Sequence, residues 1–215
     1  MAVALGWLVL CGALLCLAQL IAGPSTATVQ GKTSADFGFA DFTSSMDQDG
    51  DGVEDQRDIL MNARSYIATR PVYGSRYYPT GYPSDQYGVC TDVVAQALLH
   101  AGYDLQQLVQ KDILACPQAY DIQMPDPNID FRRVVNLKVF FARQAISLTT
   151  DVQDIAQWQG GDIVIFQKHI GIVSDQRNNR GIPYIIHHSG RLQAAYEEDI
   201  LESRTDLIGH YRMSE

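Results

Sequence analysis

Positive charge is scarce in this chain. Sixteen lysines and arginines face twenty-five aspartates and glutamates, for a formal net charge of −9 and a sequence pI near 4.9. No basic stripe is present, which excludes the electrostatic footprint of a nucleic-acid binder, and an acidic surface is not drawn to anionic polymers or lipids by charge alone. Cysteine is scarce too. Of four, Cys11 and Cys16 lie in the first apolar run, leaving Cys90 and Cys116 beyond it. Two thiols, free or paired with each other, exclude a disulfide-framework domain. Charge of either sign is absent before Lys32.

What fills that uncharged beginning is an apolar stretch from Ala2 to Ala22. It has no polar face, so it reads as a signal peptide or an N-terminal membrane anchor over residues 1–23, a hydrophobic leader helix in either case. Leu10 and Leu15 stand where a lipoprotein signal requires small residues, so Cys11 and Cys16 are not lipidation sites. The expected location is outside the cytoplasm, anchored or secreted, with membrane contact through this segment if it is uncleaved. Residues 24–45, rich in Gly, Ser, Thr and Ala without periodicity, read as a linker.

Residues 46–58 carry Asp47, Asp49, Asp51 and Gly52, the first half of a calcium loop. Alternate carboxylates in a tight turn converge on one hard cation. The expected ligands are Asp47, Asp49, Asp51, the Val53 carbonyl, Asp55 or a water it holds, and Asp58. Asp58 stands where an EF-hand has a longer glutamate, which brings the pattern nearer to Asp-rich calcium repeats. A solvated acidic turn is the alternative. Calcium here is structural, because thiol chemistry needs no Lewis acid.

A helical pattern runs from Ile59 to about Thr69. Residues 71–87 follow with Tyr73, Tyr77, Tyr78, Tyr82 and Tyr87, an aromatic loop that either walls a substrate groove or packs itself down. Next comes Tyr87-Gly-Val-Cys-Thr-Asp-Val-Val-Ala-Gln-Ala-Leu-Leu-His100. Val93, Val94, Ala97 and Leu98 share one helical face headed by Cys90. A thiol in a first turn meets free backbone N–H groups and the positive end of the helix dipole, which favours thiolate, while Asp92 opposes it. The competing reading is a small buried cysteine.

Asp104 can cap a second helix to about Ala115, and Asp130 a third from Phe131 to about Ala145. Arg132, Arg133, Lys138 and Arg143 give that third helix a basic face, which reads as solvated or as a binder of substrate carboxylate. The rest is β: 162–166, 169–173, 184–188 and about 207–212 are short β-branched runs between turn residues. Helices followed by antiparallel strands indicate an α+β fold. His169 opens one strand and His187 nearly closes the next. On adjacent strands they can be neighbours, with His169 beside Cys90 as base and His187 holding its other ring nitrogen.

Gly161-Asp-Ile-Val-Ile-Phe166, His169-Ile-Gly-Ile-Val173 and Ile185-Ile-His187 resemble the second half of NlpC/P60 cysteine peptidases, which have a papain-like fold. More closely, residues 88–212 resemble the DUF1287 proteins of bacteria. The shared stretches are Gly-Val-Cys-Thr-Asp at 88–92, Pro-Asp-Pro-Asn-Ile-Asp at 125–130, Arg133 with Asn136-Leu137, Gly-Asp-Ile-Val at 161–164, His-Ile-Gly-Ile-Val-Ser-Asp at 169–175 and Gly-His-Tyr-Arg at 209–212. The resemblance implies a papain-like DUF1287 domain over 59–215, with helices packed on an antiparallel sheet and residues 103–150 as an insertion. It implies Cys90 as nucleophile, His169 as general base and then acid, and His187 as orienter. It points to an exported hydrolase of amide bonds in peptidoglycan or other surface peptides, with no catalytic cofactor. A non-catalytic surface-binding module and a transglutaminase or acyltransferase remain the alternatives.

Overall fold

The computed structural model describes residues 31–215. The apolar leader reading falls on residues 1–30, outside that range. Among the described residues, no helix is long and apolar enough to cross a membrane.

The described residues form four α-helices and eight strands in chain order: α1 (Asp55–Ala68), β1 (Val72–Tyr73), β2 (Tyr87–Gly88), α2 (Cys90–His100), α3 (Leu105–Ala115), α4 (Val134–Gln144), β3 (Ile146–Ser147), β4 (Ile163–Phe166), β5 (His169–Arg177), β6 (Pro183–Ile186), β7 (Glu197–Glu198) and β8 (Leu207–Arg212). β1 and β2 form a small parallel pair. The other six make one sheet in the order β3-β8-β4-β5-β6-β7, antiparallel at every pairing.

The β-period divides the sheet into two apolar faces. Ile163 and Ile165 of β4, Ile170 and Ile172 of β5 and Ile186 of β6 join Ile59, Val93, Val94, Ala97, Leu98, Leu137 and Phe141 of the helices in the main core. Val164, Phe166, Val173 and Ile185 face the other way, onto Trp158, Ile182 and Leu201. Burial on both faces explains why these strands are continuously apolar rather than alternating.

Three expectations change. α1 begins four residues before Ile59, because Glu54 caps it: its carboxylate accepts the N–H groups of Gln56 and Arg57. The third helix starts at Val134, not Phe131, because residues 130–132 form a separate 3-10 turn. Residues 31–45 do not behave as a free linker. Lys32 bridges β5 at Arg177, and Phe42 lies 3.9 Å beneath the Arg212 guanidinium. Ser34 Oγ accepts a hydrogen bond from Arg177, whose side chain is fully buried and bonds the Ile155, Trp158 and Gly181 carbonyls as well. A buried guanidinium must fill its donors, and this N-terminal segment supplies one acceptor.

Candidate active site

Cys90 is the first residue of α2. Its position is fixed by Asp92, whose Oδ2 accepts the Val89 N–H at 2.8 Å. Asp92 is in turn gripped by Arg132, with Nε to Oδ1 at 2.6 Å and Nη2 to Oδ2 at 3.0 Å. Both side chains are essentially without solvent contact, at 0% and 1% exposure. Arg132 also donates to the Arg76 carbonyl, and Thr91 Oγ donates to the Arg132 carbonyl. The reading of Arg132 as part of a solvated face is therefore corrected: it is an interior clamp on the cysteine turn. Arg143, from the same set, pairs with buried Asp112. Ion pairs between separate elements leave no trace in helical periodicity, which is why neither was legible.

The thiol does not have the lowered pKa expected of a helix start. Burial pushes it up, to about 11. The N–H groups of Ile170 and Thr91 pull the other way, and the Asp92 charge adds to the rise. Desolvation outweighs the helix terminus here. Through the Ile170 N–H, Cys90 meets β5 one residue from His169.

The two sequence-predicted histidines meet. His169 Nε2 and His187 Nδ1 are 2.9 Å apart, and both side chains are buried. Gly171, two residues after His169 on β5, makes room for the residue that follows β6: a Cβ there would lie 2.6 Å from Ile185 Cγ2 and 3.3 Å from His187 Cβ. His187 Nε2 lies 3.0 Å from Glu198 Oε2 on β7. A carboxylate only accepts, so His187 carries its proton on Nε2 and offers Nδ1 as an acceptor. His169 must then donate from Nε2, which leaves its Nδ1 as the basic nitrogen. Gln193 Nε2 braces the same histidine, donating to the His187 carbonyl and to Glu198. Burial first, then the neighbouring His187, pushes His169 down from 6.5 to about 3, so at neutral pH it is an uncharged base. Burial lowers His187 as well, partly offset by Glu198. Strand alternation sets His169, with Phe166 and Val173, on the sheet face away from α2, and no hydrogen bond joins it to Cys90 in this conformation. Glu198 went unrecognised in the sequence. It stands in a two-residue strand, and only the β6–β7 pairing brings it to His187.

His188 points away from His187. Its ring packs against Tyr73 and Tyr196, and its Nδ1 is 3.3 Å from Gln193 Oε1. The tyrosines of 71–87 divide between the two roles considered for them. Tyr78 and Tyr82 tie the loop down through Asp85 and Asp104. Tyr73 and Tyr87 line an open groove beside His188.

In the Asp-rich loop, side-chain oxygens of Asp47, Asp49 and Asp51 lie within 4.8 Å of one another, all exposed. Asp47 holds the turn by accepting the Gly50, Asp51 and Gly52 N–H groups, and Gly52 takes φ +93°. Asp58 is pushed up to about 6, by burial first and then by Asp51 and Asp49. Asp55 stands outside this cluster and is not a direct ligand. It is buried, one oxygen accepting the Gln48 N–H and the other the Tyr103 hydroxyl. A core acceptor with both oxygens engaged cannot turn to a surface cation.

A mixed α/β domain of this kind, with a cysteine-headed helix against an antiparallel sheet that carries paired histidines, defines the class. The chain belongs to the DUF1287 family, a domain of unknown function whose model matches residues 60–213. It is 39% identical over 167 residues to the Escherichia coli (strain K12) protein described as "Uncharacterized protein YijF", covering 72% of this chain and 80% of that one. No solved structure matches it significantly.

Proposed function

We propose that this protein is an exported thiol hydrolase of amide bonds, acting on peptidoglycan stem peptides, with a papain-like architecture of the kind found in the NlpC/P60 peptidases its motifs resemble. The observation that carries the reading is the relay Glu198–His187–His169, which leaves one imidazole nitrogen basic on the residue next to the thiol's contact with β5. His169 rests on the sheet face away from α2, so the reaction requires its ring to turn about the start of β5 to the Cys90 side; the thiol proton then passes to His169 Nδ1 as sulfur attacks the carbonyl carbon. The backbone N–H of Cys90, at the helix start, is the donor for the developing oxyanion. The C–N bond then breaks as His169 returns the proton to the leaving amine. Water, deprotonated by His169, cleaves the thioester and frees the carboxylate. Because thiol and imidazole are both uncharged at rest, the proton moves with the attack rather than before it.

A non-catalytic binding module is the second reading, favoured by a partly buried thiol pushed up to about 11 and by a His169 that faces away from it. The test is incubation of the protein with peptidoglycan beside a Cys90→Ala control, followed by mass spectrometry of released fragments. Hydrolysis gives fragments with a new amine and a new carboxylate in the first sample alone. Identical fragment sets reject the enzyme. Adding a primary amine distinguishes acyl transfer, which replaces the carboxylate by an amide.

We also infer that Asp47, Asp49 and Asp51, with the Val53 carbonyl and Asp58, hold a structural calcium ion. Three converging oxygens, and a fourth carboxylate pushed up by burial first and then by Asp51 and Asp49, suit the donor set of a hard cation.

A further inference from the structure

We propose that the groove beside His188 is a binding subsite for the free carboxylate end of a peptide. The groove measures about 460 Å³ and is lined by Tyr73, Tyr87, His188 and Gln193, with Arg70 and Arg191 at its rim. His188 is 2% exposed, yet its Nε2 is buried without a partner. A buried polar atom left unpaired is costly, so a ligand group that fills it is favoured. Its chemistry follows from its neighbour. Gln193 donates through Nε2 to His187 and Glu198, so its Oε1 accepts from His188 Nδ1. Nε2 therefore carries a lone pair and calls for an N–H donor, such as the last amide of a peptide.

The rim supplies the charge. Arg70 and Arg191 are exposed, and neither has a carboxylate partner among the described residues. The nearby acids are already engaged, Asp85 by Arg76, Glu197 by Arg64 and Glu198 by His187. The groove is thus cationic in a protein of net charge −9, and two guanidinium groups suit one carboxylate. Arg70 also holds φ +53°, a left-handed backbone that costs a non-glycine residue on the order of 1 kcal/mol. Tyr73 pairs in register with Gly88, two residues before Cys90. The groove wall is therefore the chain that runs into the thiol, and a peptide anchored here by its terminus extends towards Cys90. Identifying that peptide as substrate rests on the hydrolase reading; its binding does not.

The full chain carrying Cys90→Ala, with labelled histidines, is titrated with acetyl-trialanine and separately with its C-terminal amide, and the His188 Nε2 resonance is followed by NMR. The free acid shifts that resonance saturably, and the amide binds at least about tenfold more weakly, since a charge-assisted contact is lost. Arg191→Glu, at an exposed position that leaves folding intact, brings the acid to the affinity of the amide. Equal binding of acid and amide, no movement of His188, or indifference to Arg191→Glu overturns the proposal. Saturable binding here together with no cleavage of peptidoglycan by the unmutated chain keeps the subsite and removes the hydrolase.

Discussion

Alkylation of Cys90 as a function of pH tests the buried neutral thiol directly. With its pKa pushed up to about 11, Cys90 is about 10⁻⁴ thiolate at neutral pH, against roughly 3% for a free cysteine of pKa near 8.5. That is a deficit of about 300-fold. The more basic thiolate is intrinsically the better nucleophile, which returns about tenfold. Iodoacetamide should therefore modify Cys90 roughly 20 to 30 times more slowly than free cysteine at neutral pH. The rate should climb about tenfold per pH unit with no plateau below about pH 10. The experiment uses a Cys116→Ser background and peptide mapping. A plateau below the free-cysteine value would mean a resting thiolate–imidazolium pair, and would refute the argument that desolvation outweighs the helix start. Addition of a peptide substrate should not create such a plateau, because the proton moves only with the attack.

His187→Ala should lower kcat by about 10²- to 10⁴-fold, since it frees the His169 ring from its hydrogen bond. His188→Ala should instead raise KM, and equal effects of the two on kcat would show the orienter to be misassigned. His169 is depressed from 6.5 to about 3, so between those values the unfolded chain binds a proton that the fold refuses. Stability is full above about pH 6.5 and falls as pH drops through that window, by up to about 1.4 kcal/mol per pH unit. Denaturant melts of His169→Gln should show a shallower slope. Arg132→Met should cost about 3–5 kcal/mol by stranding buried Asp92, while pairing it with Asp92→Leu should recover most of that loss. Calcium at about 100 times its dissociation constant should add roughly 2.7 kcal/mol in thermal melts. Chelation should remove that increment and leave low-temperature turnover intact, whereas melting indifferent to calcium would reject the Asp47–Asp49–Asp51 site.

The residues of the sequence determined the local structure. Val93, Val94, Ala97 and Leu98 at helical spacing under Cys90 define α2, and Asp104 caps α3 as its position suggests. The β-branched runs of 163–173 and 207–212 give strands of a single antiparallel sheet. Two-residue parity separates His187 from His188, and the strand order brings His187 to His169. These features depend on neighbours within a few residues, or on one pairing between consecutive strands. Tertiary structure alone decided the rest. Asp92 meets Arg132, and Glu198 meets His187, through contacts between elements distant in sequence or too short to show a period. Asp55 has the spacing of a calcium ligand, but the hydroxyl of Tyr103 takes it into the interior. The pKa of Cys90 is the clearest case. Its place at a helix start is written in the sequence, but the desolvation that overrides the dipole comes from the sheet packed over it, and burial belongs to the fold as a whole.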